Sequence, residues 1–356
     1  MAARVYFCRI GDWTDLEHVA SRLSTLLEKA PILNALKTDD LVGIKLTFGE
    51  AGNRGHAPAP LIRRLVEIIR NRRGIPFLTE TNTLYNGRRK NSVDHLEVAR
   101  EHGFTHETVG APIILSDGIL GREHYDVEIQ GKHTRTAHLA PSVRDMDFLV
   151  GVAHLTGHMV EGFGGAVKNI GMGLASRAGK LDQHSSVSPS VKQQICNACL
   201  ACFRACPAGA ISETPTAVTI DPEACIGCAE CISVCPEGAI QIDWSRETAQ
   251  VQEATAEYGL AVVRALRHGV AFINLLNHIT KQCDCVGRTD EILAPDIGIL
   301  GATDPVAIDQ ASIDLTCEAA GRDVFKEAWP RIDALVQIRH GETLGLGSRR
   351  YEIVEV

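Results

Sequence analysis

The sequence predicts an α/β protein: a helix-flanked, largely parallel sheet with an α+β module inserted near its centre. Three observations carry this prediction. Apolar, strand-like runs alternate with helix-period segments over the first hundred residues, as in a parallel sheet with crossover helices. The alternation resumes after the middle of the chain. Between the two lies a stretch of different character, with eight cysteines from Cys196 to Cys235. The expected division is a body in two parts, 1–186 and 246–356, around an insert at 187–245.

Residues 4–10 are an apolar run closed by Gly11 and read as a strand. Residues 14–30 carry Leu16, Val19, Ala20, Leu23 and Leu27 at helical spacing. Residues 41–46 (LVGIKL) form a second strand, running into a polar loop with Gly49, Glu50, Gly52, Asn53 and Gly55. Residues 58–73 read as a helix with Leu61, Leu65, Ile68 and Ile69 inward. Residues 75–81 are a third strand and 92–102 a third helix. Ligands of such sheets bind in loops beyond the strand carboxyl ends. Glu50, Asn53, Glu80 and Asn82 occupy those loops and are candidate cofactor-binding residues; taken singly, each is equally a solvated turn or cap.

Residues 105–139 become more strand-like, punctuated by Gly110, Gly118, Gly121 and Gly131. Residues 147–153 are another buried strand, and it delivers the stretch HLTGHMVEGFGGAVKNIGMGLASRAGKLDQH, residues 154–184. Six glycines fall between Gly162 and Gly179. Glycine lets a ligand approach the backbone closely, and a loop that opens a helix can hold an anion at the helix N-terminus. Gly164, Gly165 and Asn169 are candidate cofactor contacts, with Lys168, His158 and His184 as candidate catalytic groups. His154 and His158 share one face if this stretch is helical.

Cys196, Cys199, Cys202 and Cys206 are followed by Pro207; twenty-nine residues later Cys225, Cys228, Cys231 and Cys235 are followed by Pro236. Each run is C-x2-C-x2-C-x3-C-P, the bacterial-type ferredoxin pattern for [4Fe–4S] clusters. Three close thiolates wrap three irons, and the fourth ligand comes from the other run. Cys196, Cys199, Cys202 and Cys235 are therefore assigned to one cluster, and Cys225, Cys228, Cys231 and Cys206 to the other. Zinc sites use paired C-x2-C units and do not need this doubled four-cysteine spacing. The proline after each fourth cysteine turns the chain away.

Residues 217–220 and 239–242 read as short strands closing the insert, which carries two basic and six acidic residues between 191 and 243. Residues 245–268 form a long helix and 270–276 a strand that returns the chain to the body. Cys283-Asp284-Cys285 follows that strand; such a pair ligates a metal or acts as a redox dithiol. Residues 297–301 are a last buried strand, and Thr303 or Asp304 caps the helix that follows Pro305. Cys8 and Cys317 sit among apolar neighbours and read as buried small hydrophobes. Residues 323–356 supply a helix or two and a terminal strand.

The chain has 356 residues, 45% hydrophobic and 22% charged, with a net charge of −8. This is a globular composition, and the negative balance argues against nonspecific nucleic-acid binding. No apolar run approaches the roughly 18 residues that span a bilayer. The N-terminal residues lack the apolar core of a signal peptide, so a cytoplasmic protein is expected.

The residues at 45–53 (KLTFGEAGN), 79–84 (TETNTL), 164–173 (GGAVKNIGMG), the doubled cysteine run, Cys283-Asp-Cys285 and 304–309 (DPVAID) together resemble domain-of-unknown-function family 362 over nearly the whole chain. The α/β core is distantly similar to the nickel-pincer lactate racemases. His158, Gly164-Gly165, Lys168 and His184 follow that family's order, in which the lysine carries the cofactor, the later histidine ligates nickel and the earlier one handles protons. The chain departs from it in placing the cysteine-rich insert directly after His184 and in offering only His95 as a loose counterpart of another catalytic histidine.

The reading that follows is an oxygen-sensitive iron–sulfur oxidoreductase. Electrons from an external ferredoxin- or flavodoxin-like carrier pass through two [4Fe–4S] clusters to a small-molecule or cofactor site in the body, where a further metal or organic cofactor is a possibility left open. The alternatives are a non-catalytic electron-transfer subunit, and a cofactor-dependent isomerase with structural clusters.

Overall fold

A computed structural model of the chain describes residues 2–85, 87–185, 188–242, 246–288 and 291–356. Its centre is an eight-stranded sheet. In spatial order the strands are Tyr351–Glu355, Ala3–Arg9, Gly298–Ala302, Gly269–Leu276, Phe148–His154, Leu41–Lys45, Ile75–Glu80 and Ile113–Leu115. All neighbours run parallel except at Gly298–Ala302, which is antiparallel to both of its partners. The expected helix-flanked, mostly parallel sheet is therefore what the chain forms.

Alternation along the strands builds two cores. Leu149, Phe272 and Leu300 pack to one side, against Tyr258 and Val262 of the Thr248–Ala265 helix, Val306 and Ala311 of Pro305–Ala320, and Ile170 of Ala166–Gly171. Val150, Ile44, Ile273 and Ile299 pack to the other, against Leu23 and Leu26 of Leu16–Lys29 and Leu65 and Ile69 of Ala59–Asn71. Each fully buried leucine or isoleucine contributes about 2 kcal/mol of burial. Asp15 starts Leu16–Lys29 by accepting from the His18 amide at 3.0 Å. Asp304 does the same for Pro305–Ala320, accepting from Val306 and Ala307 at 2.9 Å each.

The cysteine-rich lobe is small and nearly two-fold symmetric. Ser190–Val191 pairs with Ile240–Gln241, and Ile211–Glu213 with Val218–Ile220. Helices Ala201–Ala205 and Glu230–Val234 correspond, each entered through a left-handed residue, Leu200 and Ala229. The expected boundaries at 186–187 and 245, and the first residue expected for the long helix, lie outside the described residues. The described part of that helix is Thr248–Ala265.

Candidate functional site

A cavity of about 680 Å3 opens beyond the carboxyl ends of the Leu41–Lys45, Ile75–Glu80 and Phe148–His154 strands. This is where a doubly wound sheet is expected to hold a ligand. Among the described residues four cations line it, Lys45, Arg89, Lys168 and Lys180, against two carboxylates, Glu80 and Asp284.

Its floor is a buried ion network. Glu80 receives Arg89 Nη1 at 3.2 Å, Lys45 Nζ at 3.4 Å and the Phe48 amide at 3.1 Å. Burial alone would raise the Glu80 pKa; Lys45, His95 and Arg89 more than offset this and hold it well below the carboxylate range. Lys45 also donates to Leu46 O at 2.8 Å and Asn169 Oδ1 at 3.0 Å. Burial lowers the Lys45 pKa against the pull of Glu80. Arg89 reaches on to the Tyr85 hydroxyl at 2.7 Å.

The histidines divide by their hydrogen bonds. His154 meets Asp284 Oδ2 at 3.0 Å through Nδ1 and Asn277 O at 2.6 Å through Nε2. Both partners only accept, so both ring nitrogens carry protons. Burial opposes the charge, but Asp284 and Asn277 outweigh it and raise the His154 pKa. His158 is the reverse case. Its Nδ1 accepts from the Val160 amide at 3.2 Å and the Glu161 amide at 3.0 Å, which leaves the ring proton on Nε2. Burial, then Lys168 and His184, push its pKa well below the ordinary value. Burial and Lys168 likewise hold His184 down at about 3. Lys168 itself is lowered by burial and partly restored by Glu161. Among the described residues its ammonium has no hydrogen bond or ion pair.

Cys283 and Cys285 stand in the cavity wall, joined as a disulfide with a Cα–Cα distance of 5.2 Å. The loop is gripped from below: Asp284 O accepts from the Glu50 amide at 2.8 Å, and Asn53 Nδ2 donates to Val286 O at 3.3 Å. Tyr85 donates from above to Cys285 O at 3.1 Å.

In the cysteine-rich lobe, Cys196, Cys199, Cys202 and Cys235 surround one small cavity. The Cys228 thiol lies near Cys225 and Cys206. The second loop faces the body. Ala229 and Ile232 pack on Leu84 and Leu181, and Arg122 meets Glu230 at 3.3 Å. Leu84 also lines the 680 Å3 cavity.

A family model described as "Domain of unknown function (DUF362)" matches residues 42–314. The chain belongs to the DUF362 family. No curated protein matches it. Among solved structures, a structural-genomics crystal structure of a Thermotoga maritima protein is similar at 10% identity and a TM-score of 0.47, over 86% of this chain and 58% of that one. The lactate racemase apoprotein from Thermoanaerobacterium thermosaccharolyticum is similar at 11% identity and a TM-score of 0.39, over 77% of this chain and 50% of that one. The DUF362 chain thus spans less than two thirds of the first and half of the second. The racemase likeness expected from the sequence reappears here at that level of overlap.

Of the expected residues, His158, His184, Lys168, Asn169, Gly164, Gly165, Glu80, Cys283 and Cys285 line one cavity of the DUF362 fold. Glu50 and Asn53 stand behind it: Glu50 meets Arg89 at 3.5 Å, and Asn53 closes its own turn onto the Gly55 amide at 2.9 Å. Asn82 is not among the residues that line the cavity. It is fully buried, its amides bonded to Asp117, Gly118 and Ser92. His154 and His158 do not share a helix face, because Thr156–His158 turns back as a hairpin with Gly162–Gly164. Nor does the glycine-rich loop offer its helix N-terminus to an anion. The Asp309 carboxylate already accepts the Ala166 and Val167 amides at 2.7 and 2.9 Å. A side chain at Gly165 would collide with Asp309, and one at Gly171 with Thr255 O of the Thr248–Ala265 helix. Those two glycines make room for protein neighbours. Cys317 is half-buried, not fully.

Sequence reasoning missed Lys45 and Arg89 as site residues, and Glu161. Glu161 is fully buried, accepts from Thr255 Oγ1 at 2.9 Å and is pushed up to about 7 by burial against the pull of Lys168. A lysine inside an apolar strand was a usable signal for Lys45. Arg89 sits in an Arg-Arg-Lys run that reads as surface.

Proposed function

We propose that this protein is a cytoplasmic iron–sulfur oxidoreductase that brings electrons through two [4Fe–4S] clusters to an anionic small molecule in the cationic cavity. The donor sets suit the clusters. Each would be held by three close thiolates and one from the other run, with Cys196, Cys199, Cys202 and Cys235 already gathered around one cavity. The fourth cysteines accept matching backbone bonds, Ala210 N to Cys206 Sγ at 3.3 Å and Ala239 N to Cys235 Sγ at 3.1 Å; such bonds tune cluster potentials. Bound clusters would supply one-electron transfer.

The observation that carries the reading is that Ala229 and Leu84 share one small apolar cluster with Leu181. Ala229 lies between Cys228 and Cys231, and Leu84 is a wall of the cavity. The loop of Cys225, Cys228 and Cys231 is thus the body-facing one. Cys199 of the other set is exposed, as is Phe203 nearby in sequence. That outer side suits a ferredoxin- or flavodoxin-like carrier. In the cavity, unpartnered Lys168 holds the anion, and the Nε2–H of His158 donates to it. His184, neutral in the resting site, serves as a proton acceptor.

The isomerase alternative has one observation in its favour, that Lys168, His158 and His184 meet at the same cavity. One experiment separates the readings. Protein prepared without oxygen is reduced by a low-potential carrier, and its reoxidation by a panel of anionic metabolites is followed by the cluster absorbance. Substrate-dependent reoxidation that disappears in Lys168→Ala, with cluster content unchanged, supports the oxidoreductase. Turnover with no electron donor, or reoxidation equal in wild type and Lys168→Ala, sinks it.

A further inference from the structure

We propose that Cys283 and Cys285 form a two-electron disulfide/dithiol couple that accepts electrons arriving through the cysteine-rich lobe, within the oxidoreductase reading above. The argument begins with place. The pair stands in the wall of the cavity, with Cys283 buried and Cys285 half-buried. A continuous path links it to the lobe. Ala229, Leu181 and Leu84 share one apolar cluster, Leu84 is followed by Tyr85, and the Tyr85 hydroxyl donates to Cys285 O at 3.1 Å.

The bond has little structural reason to exist. Cross-links stabilise chiefly by closing long loops, and this one spans only Asp284. Disulfides that occur in reducing compartments are mostly catalytic or redox-sensing. The loop is also held independently of the sulfurs, by the Glu50 amide on Asp284 O and by Asn53 on Val286 O. Opening the bond therefore leaves both sulfurs in place to close again.

A rival use of the same atoms is metal binding. A ring nitrogen of His158 and the two sulfurs lie within 4.8 Å of one another. The hydrogen bonds of His158 argue against it. With Nδ1 accepting two backbone amides, the neutral ring keeps its proton on Nε2, and a metal there would require an imidazolate. The same Nε2–H is instead suited to stabilise a thiolate. Lys168, also in the cavity wall, supplies a nearby positive charge.

The step balances simply. The Cys283–Cys285 S–S bond takes two electrons, delivered singly by a low-potential one-electron carrier through the lobe, and two protons from solvent in the cavity. Two thiols result, and no other bond changes. The couple turns one-electron delivery into two-electron chemistry beside the ligand.

The test counts electrons. Cluster-loaded protein made without oxygen is titrated with reduced methyl viologen, in wild type and in Cys283→Ser and Cys285→Ala. Wild type should consume two more electron equivalents per chain than either variant, since a disulfide is a two-electron acceptor. Iodoacetamide should label Cys283 and Cys285 only after that reduction. Equal electron counts, or labelling before any reductant, overturn the proposal. So does a stoichiometric zinc or iron in excess of the clusters that Cys283→Ser loses. The labelling needs only wild type, so a variant that fails to fold leaves the proposal testable. If the clusters do not load, or take no electrons from viologen, the oxidoreductase reading fails first. A phosphine reductant that opens the pair directly would register that failure separately.

Discussion

Glu80 is the most exacting test of the cavity's electrostatics. Its carboxylate lies 3.4 Å from Lys45 and 3.2 Å from Arg89, and all three side chains are nearly inaccessible. At an effective dielectric of about 20, each contact supplies roughly 5 kcal/mol of direct attraction. Desolvation cancels much of that while the network is whole. Glu80→Gln removes the anion, leaving buried Lys45 without its carboxylate partner and Arg89 with Glu50 alone, which costs about 3–5 kcal/mol. At roughly 2 cal/mol/K per residue, a chain of 356 residues unfolds with an entropy near 0.7 kcal/mol/K, so Tm falls by about 5 °C. The loss carries a pH signature. The Lys45 pKa is already below its ordinary 10.5 and falls further without Glu80. The unfolded chain then binds the proton that the folded one has released, so the variant recovers stability as pH rises from 7 towards 10. Thermal melts under nitrogen at pH 7 and 9 measure both effects. The exposed pair Arg88–Glu101 is the control, and Glu101→Gln should move nothing. A Glu80→Gln shift under about 1 °C at pH 7 would refute the reasoning.

Three further outcomes follow from the same contacts. His184 is held neutral to about 3 against an ordinary 6.5. Its contribution is whole above pH 6.5 and is lost as pH falls towards 3, at about 1.4 kcal/mol per unit; the urea midpoint of His184→Gln should therefore fall less between pH 7.5 and 5.5 than that of wild type. Asp309→Ala strips the cap from Ala166 and Val167 and the partner from Asn274 Nδ2; a loss of about 2–4 kcal/mol is expected, and an unchanged denaturation midpoint would contradict the cap. Leu84→Asp puts a charge into the apolar cluster of Ala229 and Leu181. Iron content should stay at the wild-type level while hydrogen exchange rises at 229–232 and 181, and unaltered exchange would mean that the lobe is not held there.

How much of this was legible in the sequence depended on the reach of each constraint. The eight lobe cysteines stand at local spacings, so an assignment across the two runs could be drawn in advance; Cys196, Cys199, Cys202 and Cys235 line one small cavity, and Cys206 and Cys225 lie near Cys228. The sheet was legible because strand and helix periods are local as well. The cavity was only half legible. Lys168 and His184 stood out in a polar, glycine-rich stretch, but the partners that define their chemistry come from elsewhere. Asp309 arrives from a helix more than a hundred residues later and occupies the amides that the glycine-rich loop seemed to offer an anion. Asn82 had the position of a ligand residue and was claimed instead by Asp117. Arg89 reads as surface until Glu80 and Tyr85 draw it inward. Local position is a poor guide where a side chain distant in sequence occupies the same groups.

The charge of the cavity also constrains its ligand. The chain as a whole is acidic, at −8, yet cations outnumber carboxylates two to one among the ionic residues of this wall. Burial lowers the pKa of Lys168, and it lowers that of Lys180 against the pull of Asp117. Depressed lysines are a cost that an anion removes, because a bound negative charge favours the ammonium form. Binding should then draw protons from solvent, increasingly as pH rises from 7 to 9. Calorimetric titration with a bound anion, in buffers of different ionisation enthalpy, reads that uptake directly. Lys168→Met should reduce it, because the group that recovers its proton is gone. Binding with no proton uptake at pH 8.5 would mean that the ligand's charge does not sit beside these lysines.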